Sequence, residues 1–161
     1  MNFRVGFGYD SHIFSNQENR PLKLGGVVIP GSKGLKGHSD ADVLIHALID
    51  ALLGAVCDGN IGEKFPDSSA AWKDADSAKM LESVVCDFKS KGYGLVNMDA
   101  TVICEHPRLS PHIHAIRKTL AQILGVTEDC VSVKGKTNEK MDDVGAGMGI
   151  EVHCIVLVKK I

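Results

Sequence analysis

Asp10, His12 and His46 are the residues of this chain whose types and spacing could do chemistry together. Residues 3–9 (FRVGFGY) alternate and carry β-branched and aromatic side chains, so they read as a strand in which i and i+2 share a face. Asp10 and His12 then leave its end pointing the same way. Residues 39–56 are apolar nearly all round, which predicts a buried helix, and its polar residues Asp42, His46 and Asp50 fall at i, i+4 and i+8 as one stripe. Two imidazoles and one carboxylate around a tetrahedral Zn²⁺ leave the fourth position open, the arrangement of a catalytic rather than a structural site. The flanking Asp42 and Asp50 are spaced to orient the second nitrogen of His46, as carboxylates do for metal-bound histidines. A single His on a buried helix is ordinarily a hydrogen-bonded core residue, and D-x-H is common by chance, so these three residues need support from the rest of the chain.

A chain of 161 residues, 44% hydrophobic, fits one domain over residues 1–161 that buries roughly 70% of its unfolded surface. The net charge of -2 comes with interspersed signs and no basic stripe, which argues against a nucleic-acid partner and makes any phosphate recognition local. Five widely spaced cysteines without a C-x-x-C match reduced thiols rather than a disulfide framework or zinc ribbon. No apolar run approaches ~18 residues and no leader pattern opens the chain, so neither export nor a membrane partner is expected. The expected location is cytoplasmic for a bacterial protein, or a plastid-type organelle for a processed eukaryotic one.

The elements that must position these residues follow from punctuation and period. Residues 21–29 read as a hairpin turning at Gly25 and Gly26, and residues 30–38 as a Gly-rich approach to the buried helix, with Ser39 as its N-cap and Asp42 at N3. Residues 57–76 carry no periodicity and read as a long loop. Residues 77–91 form an amphipathic helix capped by Asp76 and stopped at Gly92. Residues 95–105 alternate as a strand with Val96, Met98, Ala100, Val102 and Cys104 on one face. Pro107 opens a helix reaching Gly125, and 131–136 and 150–159 are strands. The fold class is α+β: a mixed four-stranded sheet with helices on one face plus a small hairpin. The open face of such a sheet needs cover, and identical copies in a cyclic oligomer supply it. His106, His112 and His114 read as surface or interface residues, and Asp142 and Asp143 as solvated.

Five motifs now stand in order: Asp10-Ser11-His12; Leu24-Gly-Gly-Val27; His38-Ser-Asp-Ala-Asp-Val43 with His46; Ile61-Gly62 followed by Phe65-Pro66-Asp67; and Lys134-Gly-Lys-Thr-Asn-Glu-Lys140. Together, from end to end, they resemble the 2-C-methyl-D-erythritol 2,4-cyclodiphosphate synthase family. The resemblance implies a homotrimer with active sites at subunit interfaces. It also implies conversion of a cytidine diphosphate derivative, 4-diphosphocytidyl-2-C-methyl-D-erythritol 2-phosphate, to the cyclic diphosphate with release of CMP. By the same resemblance Asp10, His12 and His46 hold Zn²⁺, Glu139 holds Mg²⁺ or Mn²⁺ bridging the substrate diphosphate, and His38 and Thr137 are the catalytic hydrogen-bond donors. Ser11 and Ser39, with Asp10, His12 and His38, contact the substrate. Asn60, Ile61, Gly62, Phe65, Pro66, Asp67, Ser68 and Ser69 line the methylerythritol pocket. Cys104, Glu105, His106, Pro107, Arg108, Leu109 and Ser110 cradle the cytidine, with the N-terminus of the helix that Pro107 opens. Lys136, Thr137, Asn138 and Glu139 contact phosphates.

The chain departs from that pattern in two places. Asn60 stands where many members carry Asp, which keeps an acceptor but removes a charge. Residues 141–149 (MDDVGAGMG) lack the Leu-Gly-Phe and Gly-Arg elements, and Ala146 replaces an arginine associated with an isoprenoid in the trimer channel. The catalytic residues carry over; that channel ligand does not. From the residues alone, a zinc phosphoester hydrolase and a non-catalytic nucleotide-binding module stay open beside the cyclising lyase. The hydrolase lacks a second histidine pair for two metals, and the module gives no reason for Asp10, His12 and His46 to converge.

Overall fold

A computed structural model describes residues 2–66, 68–69 and 72–161 of the chain. The elements are β1 (Phe3–Ile13), β2 (Pro21–Leu24), β3 (Val27–Lys33), α1 (Val43–Ala55), α2 (Ile61–Lys64), α3 (Ser77–Ser90), β4 (Tyr93–Ile103), α4 (Ile113–Leu124), β5 (Val131–Lys136), α5 (Asp142–Gly145) and β6 (Gly149–Lys160), with a 3-10 turn at Glu128–Cys130. The four-stranded sheet runs β1-β6-β4-β5; β4 and β5 are parallel, the other neighbours antiparallel. The predicted hairpin forms a separate two-stranded sheet, β2-β3.

The long helices pack on one face of the sheet, α1 over β1 and β6, α4 against β5. That face buries Met98, Ala100 and Val102 from β4 and Val152, Cys154, Val156 and Val158 from β6. The opposite face leaves Phe3, Val5, Phe7, Tyr9 and Ile155 exposed. On β1 the usual assignment is therefore inverted: its apolar alternation points out, and its inward residues are Gly6 and Gly8 followed by Asp10 and His12. A Cβ added at Gly8 would lie 2.7 Å from the Ala51 nitrogen and nearer still to the Ala47 carbonyl, and one at Gly6 2.8 Å from the Ala55 nitrogen. Two glycines facing the Ala47, Ala51 and Ala55 stripe let the backbones of β1 and α1 touch.

The structure moves several predicted boundaries. Ser39 is not the N-cap: α1 starts four residues later, and the Asp42 carboxylate accepts from Ile45 N. Asp42 also accepts from Gly25 N and Gly26 N at 2.9 and 2.7 Å, so the cap of α1 closes the turn of the hairpin. The Gly-rich approach is strand as far as Lys33, and the long loop 57–76 contains α2, capped by Asn60. Val96 lies in a register shift of β4 against β6 and leaves the buried face, which starts at Met98. The helix assigned to Pro107 begins at Ile113, because Pro111 disfavours the α conformation at Ser110 and blocks a helix running through it. Strand β5 and the Asp76-capped α3 fall where the sequence puts them.

Candidate metal centre and flanking cavities

The contact between β1 and α1 brings the three metal-ligand candidates together. Asp10 Oδ2 lies 3.1 Å from His12 Nε2 and 3.0 Å from His46 Nδ1, and the two ring nitrogens are 3.3 Å apart. Four tetrahedral ligands held at about 2.0–2.1 Å from Zn²⁺ are about 3.3 Å from one another, so this triangle is already near the size such an ion requires. Among the described residues it is the one group of three His, Cys, Asp or Glu side chains close enough to share an ion.

Electrostatics in the triangle are coupled. Burial opposes the charged form of Asp10, but hydrogen bonds and charge from His12 and His46 more than offset it and hold the carboxyl well below the usual range. Burial disfavours the imidazolium of His12, yet Asp10 beside it and a backbone hydrogen bond at Lys36 raise its pKa above the ordinary value.

The rest of the predicted stripe does something else. Asp42 is spent on the cap and hairpin, and Asp50 accepts from Ile61 N at 2.7 Å, fixing the start of α2; burial raises its pKa. Neither reaches the second nitrogen of His46, because i and i+4 carboxylates on a helix whose sides are packed find nearer backbone donors. Two hydroxyls hold that nitrogen instead: Ser77 Oγ at 3.0 Å and Ser39 Oγ at 3.1 Å. Behind them lies Asp40, whose carboxyl is kept low despite burial by Ser77 and Lys23.

The triangle opens into a cavity of about 640 Å³ lined also by Lys36, Gly37, His38, Ser39, Ile61, Gly62, Phe65, Trp72 and Met80. His38 Nε2 is buried there without a hydrogen-bond partner among the described residues, leaving it for a bound molecule. Phe65 and Trp72 meet edge to face at 4.8 Å. Sequence reasoning missed Lys36, Gly37, Trp72, Met80 and Ser77. The one usable signal was Lys36-Gly37 directly before His38; nothing local points to residues 72–80, which arrive from another element.

Other predicted substrate contacts stand apart. Asn60 is exposed and engaged with Glu63 through both amide atoms, so its local role is the cap of α2. Ser11 N donates to Asp10 Oδ1. Pro66 is half-buried, with its carbonyl accepting from Ser69 N, and Ser68 is exposed. Asp67 lies outside the described residues.

A second cavity of about 320 Å³ is lined by Cys104, Glu105, Pro107, Arg108, Leu109, Ser110, Ile113, Gly135, Lys136 and Thr137. Glu105 accepts from Asn138 N and Lys140 N, Thr137 donates to Glu139 at 2.8 Å, and Glu139 sits in the left-handed region at φ 51. That backbone is costly for a non-glycine residue and is held by the Glu105 contacts around it. Burial pushes the Cys104 thiol up to about 11, with Glu105 adding to it, so the thiol stays neutral. His106 and His114 are exposed and His112 half-buried; Asp142, although exposed, accepts from Asn138, Val144 and Gly145. Among the described residues, none lines both cavities.

The family model described as YgbB family matches residues 3–159. The chain belongs to the YgbB family. A relative from Brachyspira hyodysenteriae named 2-C-methyl-D-erythritol 2,4-cyclodiphosphate synthase is 50% identical over 157 residues, covering 98% of each chain. The bifunctional IspDF of Campylobacter jejuni superposes with TM-score 0.94 at 38% identity, covering 99% of this chain and 42% of that one. The CDP complex of Plasmodium falciparum IspF superposes with TM-score 0.86 at 33% identity, covering 99% and 97%. Both superpositions extend over the mixed sheet and its flanking helices.

Proposed function

We propose that this protein is a 2-C-methyl-D-erythritol 2,4-cyclodiphosphate synthase: it closes 4-diphosphocytidyl-2-C-methyl-D-erythritol 2-phosphate to the 2,4-cyclodiphosphate with loss of CMP, a lyase step of non-mevalonate isoprenoid synthesis. The observation that carries this reading is the Asp10, His12 and His46 triangle at the mouth of a cavity, in a chain about half identical to named synthases along its length.

The reaction is an in-line attack of the 2-phosphate oxygen on the β-phosphorus, with CMP as leaving group, so the protein needs positioning and positive charge rather than a nucleophile of its own. Asp10, His12 and His46 would hold Zn²⁺ and Glu139 would hold Mg²⁺ or Mn²⁺, and when bound these ions would supply Lewis-acid stabilisation of the charge on the diphosphate. His38 donates from its unpartnered ring nitrogen to a phosphate oxygen of the transferring group, and Thr137 turns its hydroxyl from Glu139 to another phosphate oxygen. Such donors gain strength as charge develops on those oxygens. Ile61, Gly62 and Phe65 pack the methylerythritol, while Cys104 to Ser110 bind cytidine through backbone groups and Lys136 meets a phosphate.

One chain carries the two halves of this machinery in separate cavities. A homotrimer joins the metal half of one protomer to the nucleotide half of its neighbour and covers the Phe3, Val5, Phe7 and Tyr9 face, which is left exposed among the described residues. No described helix is long and apolar enough to cross a membrane.

The test is ³¹P NMR of the metal-replete protein with the substrate and Mg²⁺. Two coupled cyclic diphosphate resonances should grow together with CMP. CMP with a linear product would refute the cyclase in favour of a hydrolase, and saturable binding without turnover would refute catalysis.

A further inference from the structure

His46 must offer one ring nitrogen to the metal and dispose of the other, and the hydrogen bonds around it decide which. Its Nε2 faces Ser77 Oγ and Ser39 Oγ, while Nδ1 faces Asp10 Oδ2. Ser77 is fully buried at the start of α3, and its hydroxyl donates to Asp40 Oδ1 in a short contact. A carboxylate only accepts, so the Ser77 hydrogen is committed to Asp40, and toward His46 the oxygen can only accept. The carboxylate is kept ionised and in place by Lys23 Nζ on its other oxygen at 3.0 Å. Ser39 Oγ, for its part, accepts from Ala41 N, and its own hydrogen goes to Ser77 Oγ 3.4 Å away, an oxygen that can only accept, so toward His46 Ser39 also presents a lone pair. The proton of the imidazole therefore belongs on Nε2, and the Nδ1 lone pair points at the Asp10 carboxylate 3.0 Å away. Two acceptors facing each other at that distance need a cation between them.

We propose that Ser77, anchored by the Asp40–Lys23 ion pair, is a positioning residue that fixes the Nε2–H tautomer of His46 and so presents Nδ1 as a metal ligand. The chain of donors runs from the imidazole through a hydroxyl to a carboxylate on another element, rather than directly to a carboxylate as is common for metal-bound histidines. It ties α3 and the loop before α1 to the metal centre. The inference rests on the metal-site reading above and deepens it.

The test is a Co²⁺ titration of the metal-stripped full-length protein, followed by d–d absorption, alongside long-range ¹H–¹⁵N spectra of the metal-free protein. Ser77→Ala should weaken Co²⁺ binding about 10–100-fold, the usual effect of removing the partner that orients a metal ligand. In the metal-free spectra the wild-type His46 Nε2 should be protonated, and Ser77→Ala should mix the two tautomers. Asp40→Asn is nearly isosteric, and its amide can donate to Ser77 and so turn the chain around; it should shift the proton toward Nδ1 and lower affinity in the same range. If Ser77→Ala does not fold, Asp40→Asn decides alone. A folded variant with wild-type Co²⁺ affinity and an unchanged His46 spectrum overturns the proposal. Wild-type protein that binds no Co²⁺ yet holds the Nε2–H tautomer would refute the metal centre and leave the tautomer relay standing.

Discussion

Replacing Gly8 with Ala tests whether the close approach of β1 and α1 builds the metal centre. The added Cβ would sit 2.7 Å from the Ala51 nitrogen, and nearer to the Ala47 carbonyl, against backbone that cannot rotate away. Restoring an ordinary separation of about 3.5 Å from the nearer atom, the Ala47 carbonyl, pushes the helix off the strand by about 1.5 Å. His46 rides on α1 and Asp10 and His12 on β1, so the shift falls directly on a triangle now 3.0–3.3 Å on a side. Metal sites accept ligand errors of about 0.2 Å, and a misplacement of about 1 Å costs about 10²-fold in turnover. Overpacking of this kind costs about 3 kcal/mol when neither side can yield, which for a chain of this length lowers Tm by about 6–12 °C. The assays are scanning calorimetry of the metal-free protein, Zn²⁺ titration calorimetry, and initial rates at saturating metal. Gly54→Ala is the matched control: it lies on the same helix, its Cβ would meet only the Phe7 carbonyl at 3.8 Å, and better helix propensity should raise stability by up to about 1 kcal/mol. Wild-type Tm and Zn²⁺ affinity in Gly8→Ala would refute the backbone contact as the cause of the site's geometry.

Loss of a ligand in His46→Ala or Asp10→Asn should remove metal binding and lower kcat/KM by at least about 10³-fold, since metal polarisation is worth several kcal/mol; circular dichroism and size should stay native, and retained activity would contradict the metal role. Metal affinity should fall with acid. In the metal-free protein Asp10 raises the His12 pKa, so protons compete for its nitrogen from a higher pH than for free imidazole, and Zn²⁺ affinity should drop about tenfold per pH unit per proton displaced below that pKa. Affinity flat from pH 8 to pH 5 would rule this out. Finally, refolding inactive His46→Ala together with inactive Glu139→Ala in equal amounts should restore about one quarter of wild-type turnover, because a quarter of randomly formed interfaces join two intact halves. No recovery despite mixed oligomers would place both halves of the site in one protomer.

The sequence by itself determined the local content of the fold. Strand β5, the Asp76-capped α3, the Gly25-Gly26 turn and the buried α1 were legible because period and punctuation are properties of neighbouring residues. The convergence of Asp10, His12 and His46 was legible too, from i+2 spacing on a strand and a polar break in an apolar helix. Only the tertiary structure decided which face of β1 is inside: Phe3, Val5, Phe7 and Tyr9 look like core, yet Gly6 and Gly8 take that side because the Ala stripe of α1 needs backbone contact. The partners of polar groups were likewise hidden. Asp42 and Asp50 share a stripe with His46 but bond to Gly25, Gly26, Ile45 and Ile61, while Ser77, 31 residues from His46, holds the ring. A buried polar atom takes whichever partner the packing brings within about 3 Å, and that distance is set by how elements pack, not by their order along the chain.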